Sequence, residues 1–348
     1  MHNPQANKVL FLFRELAGYF ISCVEQFSAS TSSKVEVVYW PVNAQAPLEL
    51  KAENGIEWIP KKDWNKAEAI LKDRSGDYNC VVVSGWGDVD YNEFVKAKGK
   101  SKKVLAFDTQ FNNSFRMLFG SLWMRWRLKS YYDAAWVPGE RQVKLAKALG
   151  FMSDAIATGF YVADLKGIGI SSRESDTDLF QIGFVSRLVS EKGFPDVLLA
   201  LMHPLNLHPN WRVHVWGTGP LMDALPHHDQ ITYHGFTQPH ELKNVWSKLD
   251  VFVLASRYEP WGVVVHEAAG AGLPMIVTSA VGAADLFVEQ GKNGWVVPVD
   301  DYQAICKWLL ELDEMSLEVQ KKMRSVSLEK ASKIDAVQWC NTLQNWMR

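Results

Sequence analysis

Residues 257–269 read Arg257-Tyr258-Glu259-Pro260-Trp261-Gly262-Val263-Val264-Val265-His266-Glu267-Ala268-Ala269. One apolar run, Val251–Ala255, precedes them and another, Pro274–Thr278, follows. Short apolar runs separated by a helix-length stretch mark a βαβ unit with parallel strands. The spacing predicts a helix over Val263–Ala271, with Glu259 just before its start and Glu267 about two turns inside. Trp261, Gly262 and Val263 then offer amide donors without intrahelical partners, where the helix dipole favours negative charge. Glu267, in a largely apolar helix, needs donors if buried; the paired hydroxyls of a ribose would supply them. Glu259 is placed to grip hydroxyls of a second sugar. Two chance glutamates on a helix remain the alternative.

The same alternation runs outward in both directions. In the first half it predicts strands at Lys8–Phe13, Lys34–Trp40, Cys80–Ser84, Val104–Asp108 and Ala134–Val137. Helices are predicted over Gly18–Ala29, Asp63–Asp73, Asn92–Lys98, Ser114–Tyr131 and Glu140–Leu149. The second half adds strands Leu179–Ser186, Trp211–Trp216 and Ile231–His234, with helices Phe194–Met202, Pro239–Ser247, Tyr302–Leu312 and Leu317–Ala331. Asp164–Asp178, with its Ser, Thr and Gly, reads as a linker. The 348 residues thus divide into an N-terminal domain, 1–166, and a C-terminal domain, 167–333. Each is α/β and doubly wound. The amphipathic segment 334–348 is free to pack back on the first.

A composition of 47% hydrophobic and 22% charged residues excludes disorder, collagen and coiled coil. The net charge of −2 gives no reason to expect nucleic acid. It hides an asymmetry: residues 1–166 hold 22 Lys and Arg against 18 Asp and Glu, net +4, and the remainder is net −6. Cys23, Cys80, Cys306 and Cys340 are widely spaced, without metal-site spacing or a disulfide framework. Polar Met1–Lys8 and the short run Val9–Phe13 fit neither signal peptide nor membrane span, so a cytoplasmic location is expected. Fifteen tryptophans are an excess, expected in a packed core, an interface, or a surface that meets rings or lipid.

In open α/β sheets ligands bind beyond the carboxyl ends of strands, which directs attention to the loops there. After the first strand, Gly18 lets backbone amides approach an anion at a helix N-terminus; a plain turn glycine is the alternative. Phe184-Val185-Ser186-Arg187-Leu188-Val189-Ser190-Glu191-Lys192-Gly193 sets Arg187 and Lys192 around a short loop. A planar fork and a compact charge suit a diphosphate, although both also fit a solvated surface. Gly217-Thr218-Gly219-Pro220 permits close backbone approach. At His234-Gly235-Phe236 a main-chain edge is placed to read a nucleobase.

Taken in order, Arg187…Lys192-Gly193, Gly217-Thr218-Gly219-Pro220, His234-Gly235 and Glu259-x₇-Glu267 followed by Gly-Leu-Pro resemble retaining GT-B glycosyltransferases, specifically glycosyltransferase family 4. The resemblance covers residues 180–298; the first half matches only in its pattern of strands. It implies a GT-B fold, two doubly wound Rossmann-like domains facing a central cleft. Arg187, Lys192 and Gly18 would then bind the donor diphosphate. Glu259 and the Trp261, Gly262 and Val263 amides would hold the donor sugar, while Glu267, Gly217, Gly219, His234, Gly235 and Phe236 would hold the nucleoside. Members retain anomeric configuration and need no metal or other cofactor, since fixed cations and helix dipoles stabilise the leaving diphosphate.

One position departs from the family. Where many members carry a histidine after an N-terminal strand, this chain reads Ala106-Phe107-Asp108-Thr109-Gln110. Asp108 is the candidate to orient the acceptor hydroxyl or to stabilise charge at the anomeric carbon; a helix N-cap is the alternative. The stretch Ser114–Tyr132 interleaves Arg116, Arg125, Arg127 and Lys129 with Phe119, Trp123, Trp126 and Tyr131, without an acid. It fits a core helix with a basic rim, contact with anionic membrane, or the lining of an acceptor site. The lysine-rich loop Lys96–Lys103 reads as solvated.

The expected activity is transfer of a sugar from a nucleotide diphosphate donor, UDP-linked by family frequency, to a saccharide or lipid-linked acceptor in cell-envelope polysaccharide or glycolipid synthesis. The enzyme would work in the cytoplasm, at the inner face of the membrane if the basic helix docks there. A nucleotide-sugar 2-epimerase and a catalytically silent sugar-binding scaffold are the rivals. The former is disfavoured by retention of Glu259, Glu267, Arg187 and Lys192 together, and the latter would usually lose one of them.

Overall fold

The run Lys8–Phe13 becomes β1, whose residues past Lys8 are all buried, as expected of a parallel strand covered on both faces. The structure, a computed structural model, describes residues 7–40, 50, 55–73, 78–97, 99–111, 115–170, 179–202 and 208–348. They form two units: Met1–Asp164 with Ile334–Arg348, and Leu165–Lys333.

In the first unit β1 is joined by β2 (Lys34–Tyr39), β3 (Ile56–Pro60), β4 (Cys80–Ser84), β5 (Lys102–Ala106), β6 (Ala134–Trp136) and β7 (Ile156–Ala157). All pair in parallel in the order β3-β2-β1-β4-β5-β6-β7. The helices are α1 (Gly18–Thr31), α2 (Trp64–Asp73), α3 (Val89–Ala97), α4 (Phe115–Tyr131) and α5 (Glu140–Ala148). Alternation sends Leu10, Leu12, Val81 and Val83 to one face, against Leu71, Phe94 and Leu145. Val9, Phe11, Cys80 and Val82 face the other way, against Phe20, Phe27 and Trp339.

The second unit holds β8 (Phe180–Val185), β9 (Trp211–Trp216), β10 (Ile231–Gly235), β11 (Val251–Leu254), β12 (Met275–Thr278) and β13 (Gly294–Val297). Their order is β10-β9-β8-β11-β12-β13, again parallel. Its helices are α6 (Phe194–Met202), α7 (Pro239–Leu242), α8 (Val263–Gly270), α9 (Ala284–Phe287), α10 (Tyr302–Glu314) and α11 (Leu317–Ala331). The last helix, α12 (Ala336–Met347), belongs to the first unit. There Trp339 is buried, and its Nε1 donates to the Phe160 carbonyl at 3.0 Å.

Several expectations need adjusting. The strand expected at Val104–Asp108 begins two residues earlier and ends at Ala106, because Lys102 and Lys103 pair with Cys80 and Val81. The helix expected over Pro239–Ser247 is α7 plus a separate 3₁₀ turn, Trp246–Lys248. Between them Asn244 and Val245 donate to carbonyls three residues back, tightening the chain beyond α-helical geometry. Residues 171–178 of the expected linker lie outside the described residues, as do Ser114 and the side chain of Arg116. Among the described residues Trp136, Trp211, Trp216, Trp246, Trp261, Trp295 and Trp339 are buried, so about half of the tryptophans are packing.

Candidate functional site

In the second unit the loops after β8, β9 and β10 lie against one another. Ser186 N–H donates to Trp216 O at 3.0 Å and Leu188 N–H to Thr218 O at 2.9 Å. Gly217 has φ +134°, and a Cβ there would stand 1.8 Å from the Ser186 carbonyl oxygen, so only glycine lets this turn close on the Arg187 loop. Gly217 N–H also donates to Gly235 O at 2.7 Å, which engages that carbonyl at the end of β10. His234 stacks on Trp216, ring centroids 4.4 Å apart, and its Nε2 lies 3.1 Å from His214 Nδ1. Burial lowers the pKa of both histidines, that of His214 to about 4. His234 is thus held in a neutral stack, while Phe236 beyond it is exposed.

Arg187 is exposed, and among the described residues no carboxylate pairs with it. Lys192 closes a 3₁₀ turn, Ser190–Lys192. Behind it Gly193, at φ +61°, brings the chain so near the end of β11 that a Cβ would lie 2.2 Å from Ala255 O. That approach sets Lys192 Nζ against Glu259 Oε2 in an ion pair, each side chain only 14% exposed. Two residues assigned separately, one to phosphate and one to sugar, are therefore neighbours.

Glu259 and Trp261 are pinned to the loop after β12: Gly282 N–H donates to Glu259 O at 3.1 Å and Ala283 N–H to Trp261 O at 2.9 Å. Trp261 is 3% exposed and its indole packs toward Phe287, so the side chain belongs to the core. α8 opens at Gly262 with no side-chain cap and no acid in its first turn, leaving that N-terminus suited to an anion or a polar oxygen. Glu267 is half-buried two turns along α8. Its neighbour His266 points inward, stacked on Phe287 at 4.3 Å with Nε2 2.9 Å from Ala331 O. Burial pushes its pKa down to about 4.

One residue here escaped sequence reasoning. Arg257 donates from Nε to Asp300 Oδ1 at 2.7 Å, from Nη1 to Ser190 O at 2.9 Å and from Nη2 to Tyr302 Oη at 2.7 Å. It clamps the Lys192 loop to the start of α10. Nothing in the spacing of residues 190, 257 and 300 signals this.

In the first unit Gly18 is the first residue of α1, which has neither a capping side chain nor an acid in its first turn. Asp108 lies beyond β5, in the segment that leads to α4. Tyr161 Oη donates to its Oδ2 at 3.4 Å, and Gln142 Nε2 donates to its carbonyl at 2.9 Å. Tyr19 and Tyr161 meet edge to face at 5.1 Å, and burial, followed by the other charges nearby, raises the pKa of both hydroxyls. On α4 three aromatic side chains lie outside the core: Phe119, Trp123 and Trp126 are 68%, 71% and 86% exposed, while Tyr131 packs against it. Arg125, Arg127 and Lys129 are exposed beside them, and Leu128 faces inward. A cluster not anticipated from the sequence gathers Arg14, Trp40, Lys61 and Asp88 at the carboxyl ends of β1 to β4. Among the described residues no group of His, Cys, Asp and Glu could hold a metal ion.

Comparison with known proteins accords with this geometry. Residues 170–327 match the family described as glycosyl transferases group 1. An uncharacterized glycosyltransferase of Methanocaldococcus jannaschii is 30% identical over 38% of this chain and 34% of its own length. WcaL of Salmonella typhimurium, named for colanic acid biosynthesis, is 27% identical over 53% of this chain and 49% of its length. The chain thus spans between a third and a half of these relatives. The crystal structure of Anabaena HepE in complex with UDP superposes with a TM-score of 0.74 at 15% identity, over 97% of this chain and 98% of that one. The fold is GT-B. The match to glycosyl transferases group 1 falls within its second unit.

Proposed function

We propose that the protein is a retaining, metal-independent glycosyltransferase that moves a sugar from a UDP-linked donor to a saccharide or lipid-linked acceptor. The observation that carries this reading is the Lys192–Glu259 pair at the approach to the uncapped start of α8, with Arg187 exposed on the loop that also carries Lys192. Arg187 and Lys192 hold the diphosphate, Glu259 and the Trp261–Val263 main chain hold the sugar, and Glu267 takes the ribose hydroxyls. Gly217, Gly219 and the His234–Phe236 segment border the nucleoside. Gly18, at the uncapped start of α1, is assigned to the phosphates by the family resemblance alone. Asp108 orients the acceptor hydroxyl, which attacks the anomeric carbon on the face from which the diphosphate leaves. Fixed cations and helix dipoles stabilise that leaving group in place of a metal. The Anabaena neighbour was crystallised with UDP, which supports UDP as the nucleotide to test first.

The exposed aromatic and basic face of α4 supports contact with an anionic membrane, where a lipid-linked acceptor would be met. The name of WcaL supports a place in cell-envelope polysaccharide synthesis, on the cytoplasmic side. Among the described residues no helix is long and apolar enough to cross a membrane, so docking would be peripheral.

Melting curves with UDP, GDP, ADP and a panel of UDP-sugars test the reading, since a ligand bound only by the native state raises the melting temperature with its concentration. A shift with UDP-sugars that is lost in Glu259→Ala for the sugar but retained for UDP is expected. No shift with any nucleotide would refute it.

A further inference from the structure

Arg14 follows β1, Trp40 follows β2, Lys61 follows β3 and Asp88 follows β4, so all four stand at the carboxyl edge of the first unit's sheet, where ligands bind in open α/β folds. Asp88 accepts from Trp40 Nε1 at 2.9 Å and from Lys61 Nζ at 2.6 Å, and its side chain is 2% exposed. Lys61 also meets Asp90 at 3.0 Å and Tyr91, whose ring centroid is 4.4 Å away. Its charge is fully answered.

Trp40 is different. The buried carboxylate holds its indole in place, yet the residue remains 40% exposed. Burying an ion pair adds little stability by itself, and an exposed indole adds little core. The cost is explained if the ring is held for a ligand. Two cations lie over the indole, Lys61 Nζ at 4.9 Å and the Arg14 guanidinium carbon at 5.6 Å from the ring centroid. Arg14 is exposed, and no carboxylate pairs with it among the described residues. A guanidinium lying over an aromatic ring keeps its N–H edge available for an anion.

We propose that Trp40 and Arg14 form a saccharide subsite selecting an acceptor sugar that carries a negatively charged substituent, the indole stacking on the sugar and the guanidinium meeting the charge. This rests on the glycosyltransferase reading above for the word acceptor; the sugar recognition itself does not.

Saturation-transfer NMR titrations of the full chain with methyl β-glucoside, methyl β-glucuronide and glucose 6-phosphate test it. At least one charged sugar should bind roughly threefold to fivefold tighter than the neutral one, and which of the two does so separates carboxylate from phosphate. Arg14→Gln should erase that preference while keeping neutral-sugar binding. Trp40→Ala should weaken all three by roughly tenfold. If Trp40→Ala melts early, the exposed Arg14 variant still decides. Equal binding of charged and neutral sugars, or a preference that survives Arg14→Gln, overturns the proposal. So does a smaller UDP-induced melting shift in Arg14→Gln, which would move Arg14 to the donor. A wild type with the sugar preference but no UDP shift contradicts the donor reading alone.

Discussion

Lys192 and Glu259, 67 residues apart, are joined side chain to side chain where the loop after β8 meets the approach to α8. The pair makes one cation of the expected diphosphate site conditional: an incoming anion must share Lys192 with Glu259, whereas Arg187 is free to meet it. Donor hydroxyls offered to Glu259 would compensate the carboxylate as Lys192 turns to phosphate. Phosphate and sugar recognition are then coupled through one contact.

Removing either partner takes away the other's counter-ion while that side chain stays largely buried, at a cost of about 1–3 kcal/mol. Lys192→Ala and Glu259→Ala should therefore each destabilise the fold, and the double variant should lose less than the two together. Urea unfolding of the four proteins measures this; strict additivity would mean that the pair does not exist in solution. In UDP titrations Arg187→Ala should weaken binding without changing that coupling.

Arg257 uses three nitrogens on three partners, an arrangement that lysine cannot copy. Arg257→Lys should lower the melting temperature by about 3 °C and loosen the Lys192 loop, raising the KM for donor more than it changes kcat. A melt and a KM both equal to wild type would remove the clamp from the account.

How far all this was legible follows from burial. The interior strands β1, β4 and β11 are covered on both faces and write themselves as nearly unbroken apolar runs. The strands left unread, β3, β7 and β13, all lie at sheet edges and are two to five residues long. Ile56–Pro60 places Glu57 among its few apolar residues, so no run forms. Candidate residues stand out in the sequence where they follow an interior strand directly, as Arg187 and Gly217 do. The Arg257–Asp300 and Trp40–Asp88 contacts span 43 and 48 residues. Only the folded topology brings such residues together, and no local spacing announces it. Trp261 shows the converse: its place in the motif was readable, but the inward turn of its indole depends on Phe287.

His266 gives the fold a pH dependence of definite sign. In the folded chain burial lowers its pKa to about 4, against about 6.5 when unfolded. Between those values the unfolded chain binds a proton that the folded chain refuses, so stability falls as pH drops from 6.5 toward 4, by on the order of 3 kcal/mol. His214, also lowered to about 4 chiefly by burial, adds a loss of the same sign. Asp88 acts lower down: burial raises its pKa, but bonds from Lys61, Tyr91 N–H and Trp40 outweigh that and hold it below 3.8, so its contribution disappears only as pH falls beneath that range. Urea midpoints at pH 7, 5.5 and 4.5 should decline for wild type. They should decline less for His266→Gln, which keeps a donor for Ala331 O. Parallel profiles for the two would exclude His266 as the titrating group.

The α4 face makes the remaining prediction. Phe119, Trp123 and Trp126 fall at helical spacings of four and three, which puts them on neighbouring turns of one side, and all three are exposed. Solvent-exposed indoles that pack nothing can be removed without a cavity, so Trp123→Ala with Trp126→Ala should leave the melting temperature within about 1–2 °C of wild type. If that face meets lipid, the same change should abolish sedimentation with vesicles containing phosphatidylglycerol. Arg125→Gln, Arg127→Gln and Lys129→Gln together should cost about 1 kcal/mol of binding per charge at low salt and less at high salt. Neutral phosphatidylcholine vesicles should bind weakly throughout. Equal sedimentation of wild type and both variants would show that the exposed aromatics serve some contact other than the bilayer.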